Sequence, residues 1–279
     1  MTKNKTFRII IFAFILCLLC AAVISCSGGF THSSRYKKAL DSSGYSTALY
    51  FSAHQDDEIL EDFGGIMQDI RNGKEVHVVL VTDGSSSGIY KELLNEGYEL
   101  TIDDFVAIRD SEFVNALVSI GVPRENIHIP SDRLEDGTLS DERERLKDFI
   151  KYWVDAFPGA AVRTHSPKIE EIENHPDHYT IGEVCCELQD EGSIKELRLF
   201  VDRWHIAEYE AVEGLELFEL PAYGKLINDE AERLDGAVRA YVDIDIEEGK
   251  YGVGGRSVPG YWEQLQAEPI SCFYDRTVQ

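Results

Sequence analysis

Ala48-Leu49-Tyr50-Phe51-Ser52-Ala53-His54-Gln55-Asp56-Asp57-Glu58 is the stretch from which the fold can be read. Six mostly apolar residues, two of them aromatic, form a short run of the kind that becomes a buried strand, and the run stops on a histidine followed within four residues by three carboxylates. Beyond it Ile59, Leu60, Phe63, Ile66, Met67 and Ile70 recur at helical spacing, and Gly73 suits the residue just past a helix end. A buried strand that turns through a polar cluster into an amphipathic helix is the opening unit of an α/β domain.

The same alternation continues. Val76 to Val81 reads as a second buried strand ending at Thr82-Asp83-Gly84, and Ser85 to Gly97 as a loop. A helix follows with Phe105, Ile108, Phe113, Ala116, Leu117 and Ile120 facing inward, stopped by Gly121 and Pro123. Asn126 to Ile129 gives a short third strand. The next helix opens at Ser140 and buries Leu146, Phe149, Ile150, Trp153 and Val154. Ala160 to Thr164 is a fourth strand, and Pro176 stands at the first position of a further helix. This order predicts a Rossmann-like α/β fold, a mainly parallel sheet with helices on both faces. No Gly-rich dinucleotide fingerprint follows the first strand and no internal repeat is present.

Ligands of open α/β sheets bind beyond the carboxyl ends of the strands. That rule gathers His54 to Glu58, Asp83-Gly84 and the segment from His165 through His175-Pro176-Asp177-His178 on one edge. Imidazole and carboxylate together suit zinc, and a catalytic zinc keeps three protein ligands and one open position. Neighbouring aspartates can divide the work, one on the metal and one facing a water. Asp56-Asp57-Glu58 alone would also fit acids at a helix N-terminus. Arg109 and Glu112, one turn apart, read as a helix ion pair, and His165 as structural. Arg109, Asp83 and Arg256 are kept as candidate substrate contacts, although Asp83 also reads as a turn residue. Arg256 sits in the Gly-rich segment from Tyr251 to Pro259, either an ordinary turn or a loop over the site mouth. Trp204, His205 and Trp262 read as core aromatics in preference to a sugar-stacking surface.

Ala53-His54-Gln55-Asp56-Asp57-Glu58 with the later His175-Pro176-Asp177-His178 resembles the PIG-L (LmbE-like) family of zinc-dependent N-acetylglucosaminyl de-N-acetylases. Thr82-Asp83-Gly84, Arg109-Asp110-Ser111-Glu112 leading to Gly121-Val122, and Asp136-Gly137 extend the resemblance, which spans roughly residues 46 to 190. It implies that His54, Asp57 and His178 hold Zn2+ or another divalent metal, that Asp56 is the general base and that His175, in protonated form, stabilises the oxyanion. The implied substrate is an N-acetylated amino sugar or glycoconjugate. Gln55 stands where the family usually has Pro, which puts the stiffness of the turn in doubt. A non-catalytic glycan-binding lipoprotein on the same scaffold, or a metal hydrolase of another amide, are the other readings.

Lys3, Lys5 and Arg8 precede an apolar run from Ile9 to Ile24, and Val23-Ile24-Ser25-Cys26 resembles the bacterial lipobox, with Cys26 as the lipidation site. The expected organisation is a signal peptide over 1–25, a tether over 26–45 and a catalytic domain over 46–279, anchored outside the cytoplasm by lipid; an uncleaved membrane anchor is the alternative. The net charge is -24, from 27 basic and 51 acidic residues. Removing the three basic residues of the signal gives 24 minus 51, or -27, which disfavours nucleic acid and other polyanions. Cys185, Cys186 and Cys272 imply no disulfide framework.

Overall fold

The computed structural model describes residues 37–38, 44–167, 172, 175–221 and 225–276, all within the compact unit Tyr36–Gln279. The expected signal peptide and Cys26 lie outside the described residues. In chain order β1 (Lys37–Lys38) and β2 (Thr47–Ser52) lead to α1 (Asp57–Leu60), α2 (Phe63–Arg71) and β3 (Glu75–Leu80). Next come α3 (Ile89–Asn95), α4 (Ile102–Ile120), β4 (Ile127–His128), α5 (Arg143–Ala156), β5 (Ala161–His165) and α6 (Pro176–Asp190). The chain continues through β6 (Leu197–Val201), α7 (Ile206–Glu210), β7 (Phe218–Leu220), α8 (Glu230–Val242) and the β8–β9 hairpin (Ile244–Asp245 with Lys250–Tyr251). It ends with α9 (Val253–Ser257), α10 (Tyr261–Ala267) and β10 (Ser271–Asp275).

Eight strands make one sheet in the order β1-β7-β10-β6-β5-β2-β3-β4. The five strands from β6 to β4 are parallel, which is the predicted arrangement. Only β10 runs antiparallel, between β6 and β7. Strand β2 is central, and its alternate residues feed two cores: Ala48 and Tyr50 on one face, Leu49, Phe51 and Ala53 on the other. The first face is covered by α2, α4, α8 and α10, the second by α5 and α6. Burial on both faces is why β2 and β3 read as unbroken apolar runs rather than alternating ones.

Four expectations are revised. The helix expected over Ile59 to Ile70 breaks at Glu61-Asp62. The break lets Gly64 and Gly65 press against the sheet: a Cβ on Gly64 would lie 2.2 Å from the Leu220 carbonyl oxygen, and one on Gly65 2.5 Å from the Phe200 ring. The expected loop from Ser85 to Gly97 contains α3, whose Ile89 and Leu93, one turn apart, pack on Phe105 and Val253. Helix α5 starts at Arg143 because Thr138 to Glu142 form a turn, with Asp141 N–H and Glu142 N–H both donating to the Thr138 carbonyl. Within the expected tether, Lys37–Lys38 pairs in parallel with Phe218–Glu219, and buried Tyr45 donates to Asp69 at 2.7 Å. Among the described residues no helix is long and apolar enough to cross a membrane.

Gly64→Ala is expected to cost at least about 2 kcal/mol in urea unfolding, because the new methyl meets backbone that cannot move aside. Gly88→Ala, which meets nothing within 4 Å, should change stability by less than about 1 kcal/mol in the same experiment.

Candidate active site

Three strand ends and one helix start build the site. His54 to Asp57 leave β2, Asp83 leaves β3, His165 ends β5 and His175 caps the N-terminus of α6. Thr82 Oγ1 donates to the Ala53 carbonyl at 2.7 Å and ties the first two exits together. Above them lies a cavity of about 440 Å3, within the ~300–1,000 Å3 of small-molecule sites.

The turn after β2 is strained where the chemistry sits. Asp56 has φ +119°, a region that normally belongs to glycine and costs an ordinary residue about 1–3 kcal/mol. Surrounding contacts hold it there. Glu58 accepts from Asp56 N–H at 3.0 Å and from Tyr241 OH at 2.5 Å. Gln55 is buried, and its amide donates to Asp110 Oδ1 at 2.8 Å and to the Asp83 carbonyl at 3.2 Å. Arg109 donates to the carbonyls of Gln55 at 2.9 Å and Gly84 at 2.7 Å. The stiffness that proline gives elsewhere is here supplied by the Gln55 side chain and Arg109.

Three atoms close a triangle at the cavity floor. Asp57 Oδ2 lies 3.3 Å from His54 Nδ1 and 3.1 Å from His178 Nε2, and the two nitrogens are 3.3 Å apart. Ligands about 2.0–2.1 Å from a tetrahedral metal stand roughly 3.3–3.4 Å from one another, so the triangle has the dimensions of one face of such a site. Other nearby donors are engaged elsewhere. His165 Nε2 accepts from Ala53 N–H at 2.9 Å. Asp136 Oδ1 and Asp177 Oδ2 face the opposite nitrogen of His54, Nε2, at 3.1 and 3.2 Å. Asp177 is itself held by the N–H groups of Gly137 at 2.8 Å and Leu139 at 3.3 Å. A metal-ligating imidazole ordinarily gives its other N–H to such a carboxylate. Among the described residues five carboxyls line the cavity, Asp56, Asp57, Glu61, Asp136 and Asp202, against the two guanidinium groups of Arg109 and Arg203. The donor set and its charge fit a divalent cation.

Asp56 lies beside this triangle without joining it. Ser257 Oγ is 3.2 Å from its Oδ2 and an Arg109 nitrogen 3.9 Å away. Burial first, and then the Asp57 carboxylate, push the Asp56 carboxyl up to about 7, with Arg109 pulling the other way. His175 sits at the rim, edge-on to His54 with ring centroids 4.6 Å apart. Enclosure by the protein, and then the charge of His54 and His178, hold its pKa down to about 4. A pKa that low favours the neutral imidazole, whereas the sequence reading has His175 protonated. Its Nδ1 accepts from Asp177 N–H at 3.3 Å, so Nε2 carries the proton.

Of the candidate substrate contacts, Arg109 lines the cavity. Asp83 works as a turn residue, its Oδ1 accepting from Ser85 N–H at 3.0 Å and Asp136 N–H at 3.1 Å. Arg256 turns away to pair with Glu96 at 2.7 Å. The expected ion pair between Arg109 and Glu112 is absent: buried Glu112 accepts from Val253 N–H at 2.8 Å and Gly254 N–H at 3.0 Å, which fastens α9 and brings Ser257, Val258 and Tyr261 to the cavity. The Gly-rich segment is thus a short helix whose far end walls the site. Trp262 is buried as expected, whereas Trp204 is 41% exposed and packs on Tyr261 at 4.0 Å between centroids. Sequence reasoning missed Glu61, Ser257 and Asp202. Glu61 offered a signal in its place one turn beyond Asp57, and Ser257 in its place in the Gly-rich segment; Asp202 offered none, since only the tertiary fold brings it in.

Residues 49–188 match the profile of the PIG-L family, GlcNAc-PI de-N-acetylase. No curated protein sequence matches the chain. Among solved structures, a deacetylase triple mutant of the teicoplanin biosynthetic pathway is similar with TM-score 0.56 and 19% identity, covering 84% of this chain and 99% of its own. The A40926 pseudoaglycone deacetylase Dbv21 gives TM-score 0.56 at 18% identity, covering 82% and 96%. The N,N'-diacetylchitobiose deacetylase of Pyrococcus horikoshii gives 0.52 at 21%, covering 79% and 75%. At these identities the structures speak for the fold, and the profile, which takes in half the chain, speaks for the descent: this protein is a member of the PIG-L family of metal-dependent de-N-acetylases.

Proposed function

We propose that the protein removes the N-acetyl group from an N-acetylglucosamine-type sugar or glycoconjugate, with His54, Asp57 and His178 holding zinc or another divalent ion and Asp56 as general base. The observation that carries this reading is the triangle of His54 Nδ1, Asp57 Oδ2 and His178 Nε2 with Asp56 beside it and outside it. When bound, such a metal supplies the charge that acidifies a water and polarises an amide carbonyl. Asp56 takes the proton as the water oxygen bonds to the acetamide carbon. His175 Nε2–H donates to the carbonyl oxygen as its negative charge develops. Asp56 returns the proton to nitrogen as the C–N bond breaks, leaving acetate and a free amine.

The cavity walls support a sugar. Tyr261, backed by the Trp204 ring packed on it, offers an apolar face at one side, with Asp202, Ser86 and Ser87 as hydrogen-bonding groups among the lining. Location rests on the sequence alone. The basic start, the apolar run and Cys26 support export and lipid anchoring.

Asp56→Asn is expected to lower kcat for release of amine from an N-acetylglucosamine conjugate about 10²–10⁴-fold while metal content stays at the wild-type level; metal analysis and a fluorescamine assay measure both. Chelation should abolish turnover, and one equivalent of zinc or another divalent ion should restore it. Trp204→Ala should raise KM several-fold with little change in kcat. In cells, Cys26→Ser should eliminate incorporation of labelled palmitate into the chain, and undiminished labelling would exclude Cys26 as the lipid site.

A further inference from the structure

Glu61 has no part in the chemistry above, yet it is buried between two imidazoles at the break after α1. The Ala53 N–H donates to Nε2 of His165, which leaves that ring's proton on Nδ1, donated in turn to Glu61 Oε2 at 2.8 Å. The other oxygen, Oε1, stands 3.3 Å from Nδ1 of His178. A carboxylate oxygen only accepts, so Glu61 faces His178 as an acceptor for the proton on its Nδ1. The opposite nitrogen of that ring, Nε2, is the atom that lies 3.1 Å from Asp57 Oδ2 and 3.3 Å from His54 Nδ1. The His165 ring stacks on His178 with centroids 4.0 Å and planes 13° apart, which resists rotation of the ligand ring.

We propose that Glu61, locked by His165, is a positioning residue that sets the tautomer and plane of His178 and so presents Nε2 to the metal. The inference rests on His178 being a metal ligand, as read above. His165 thereby gains a specific role, because it fixes the carboxylate that fixes the ligand. The arrangement also mirrors the other imidazole of the triangle, where Asp136 and Asp177 face Nε2 of His54 and leave Nδ1 inward.

Glu61→Gln tests this directly, since an amide has one oxygen and one NH2 and cannot accept from both imidazoles at once. In the full-length protein, zinc titrated against a chromophoric chelator should bind the variant about 10–100-fold more weakly than wild type. Long-range ¹H–¹⁵N spectra of the zinc-loaded protein should show a slowly exchanging Nδ1 proton on His178 in wild type and a fast-exchanging one in the variant. Unchanged zinc affinity, or weakened affinity with exchange of the His178 Nδ1 proton unaltered, overturns the proposal; the latter would mark Glu61 as merely structural. If Glu61→Gln does not fold by circular dichroism, His165→Phe, which spares the carboxylate but frees it from its lock, should weaken zinc binding several-fold, and unchanged affinity there overturns the proposal. Wild-type protein that binds no zinc or other divalent metal would instead remove the metal reading itself.

Discussion

One carboxylate oxygen, Oδ2 of Asp57, organises the active centre. It accepts the backbone N–H of His54 at 2.8 Å, lies 3.3 Å from the Nδ1 of that residue and 3.1 Å from His178 Nε2, more than a hundred positions along the chain. Buried, unpaired carboxylates are costly, so such a group persists only where donors or a cation meet it. Burial favours the neutral form of Asp57, but His178, His54 and His165 outweigh it and hold the carboxyl well below its usual range. The two sheet exits and the start of α6 are thus drawn to one point, and much of the surrounding structure serves to keep the turn between β2 and α1 in place.

That turn concentrates strain and support together. Asp56 adopts a backbone conformation unsuited to its residue type, and Glu58, Gln55 and Arg109 surround it with hydrogen bonds from three directions. Tyr241 on α8 secures Glu58, and Glu112 on α4 secures α9, whose Ser257 reaches Asp56. The last quarter of the chain is therefore part of the catalytic wall although no catalytic role falls on it.

The parallel half of the sheet was legible because strands buried on both faces leave dense apolar runs, and the cluster after β2 stood out because His54 and two aspartates interrupt such a run. Antiparallel β10 and the short helices α3 and α9 were not, since their pairing partners lie far away in sequence and their apolar content is brief. Arg109 and Glu112 illustrate the limit. Their spacing on α4 suggested an ion pair within the helix, but each is buried and satisfied by backbone from a different segment, Gln55 and Gly84 for one, Val253 and Gly254 for the other. Spacing within a helix reports which side chains are neighbours, whereas burial of their face decides whom they meet.

In the proposed active centre His54, Asp57 and His178 hold one divalent metal beside Asp56. X-ray absorption at the metal edge of purified, zinc-loaded protein tests it most directly. One zinc per chain, with two imidazole nitrogens, one carboxylate oxygen and remaining light-atom ligands at about 2.0–2.2 Å, is the predicted result. Zinc bound with sulfur in its shell, or with no imidazole, would contradict it.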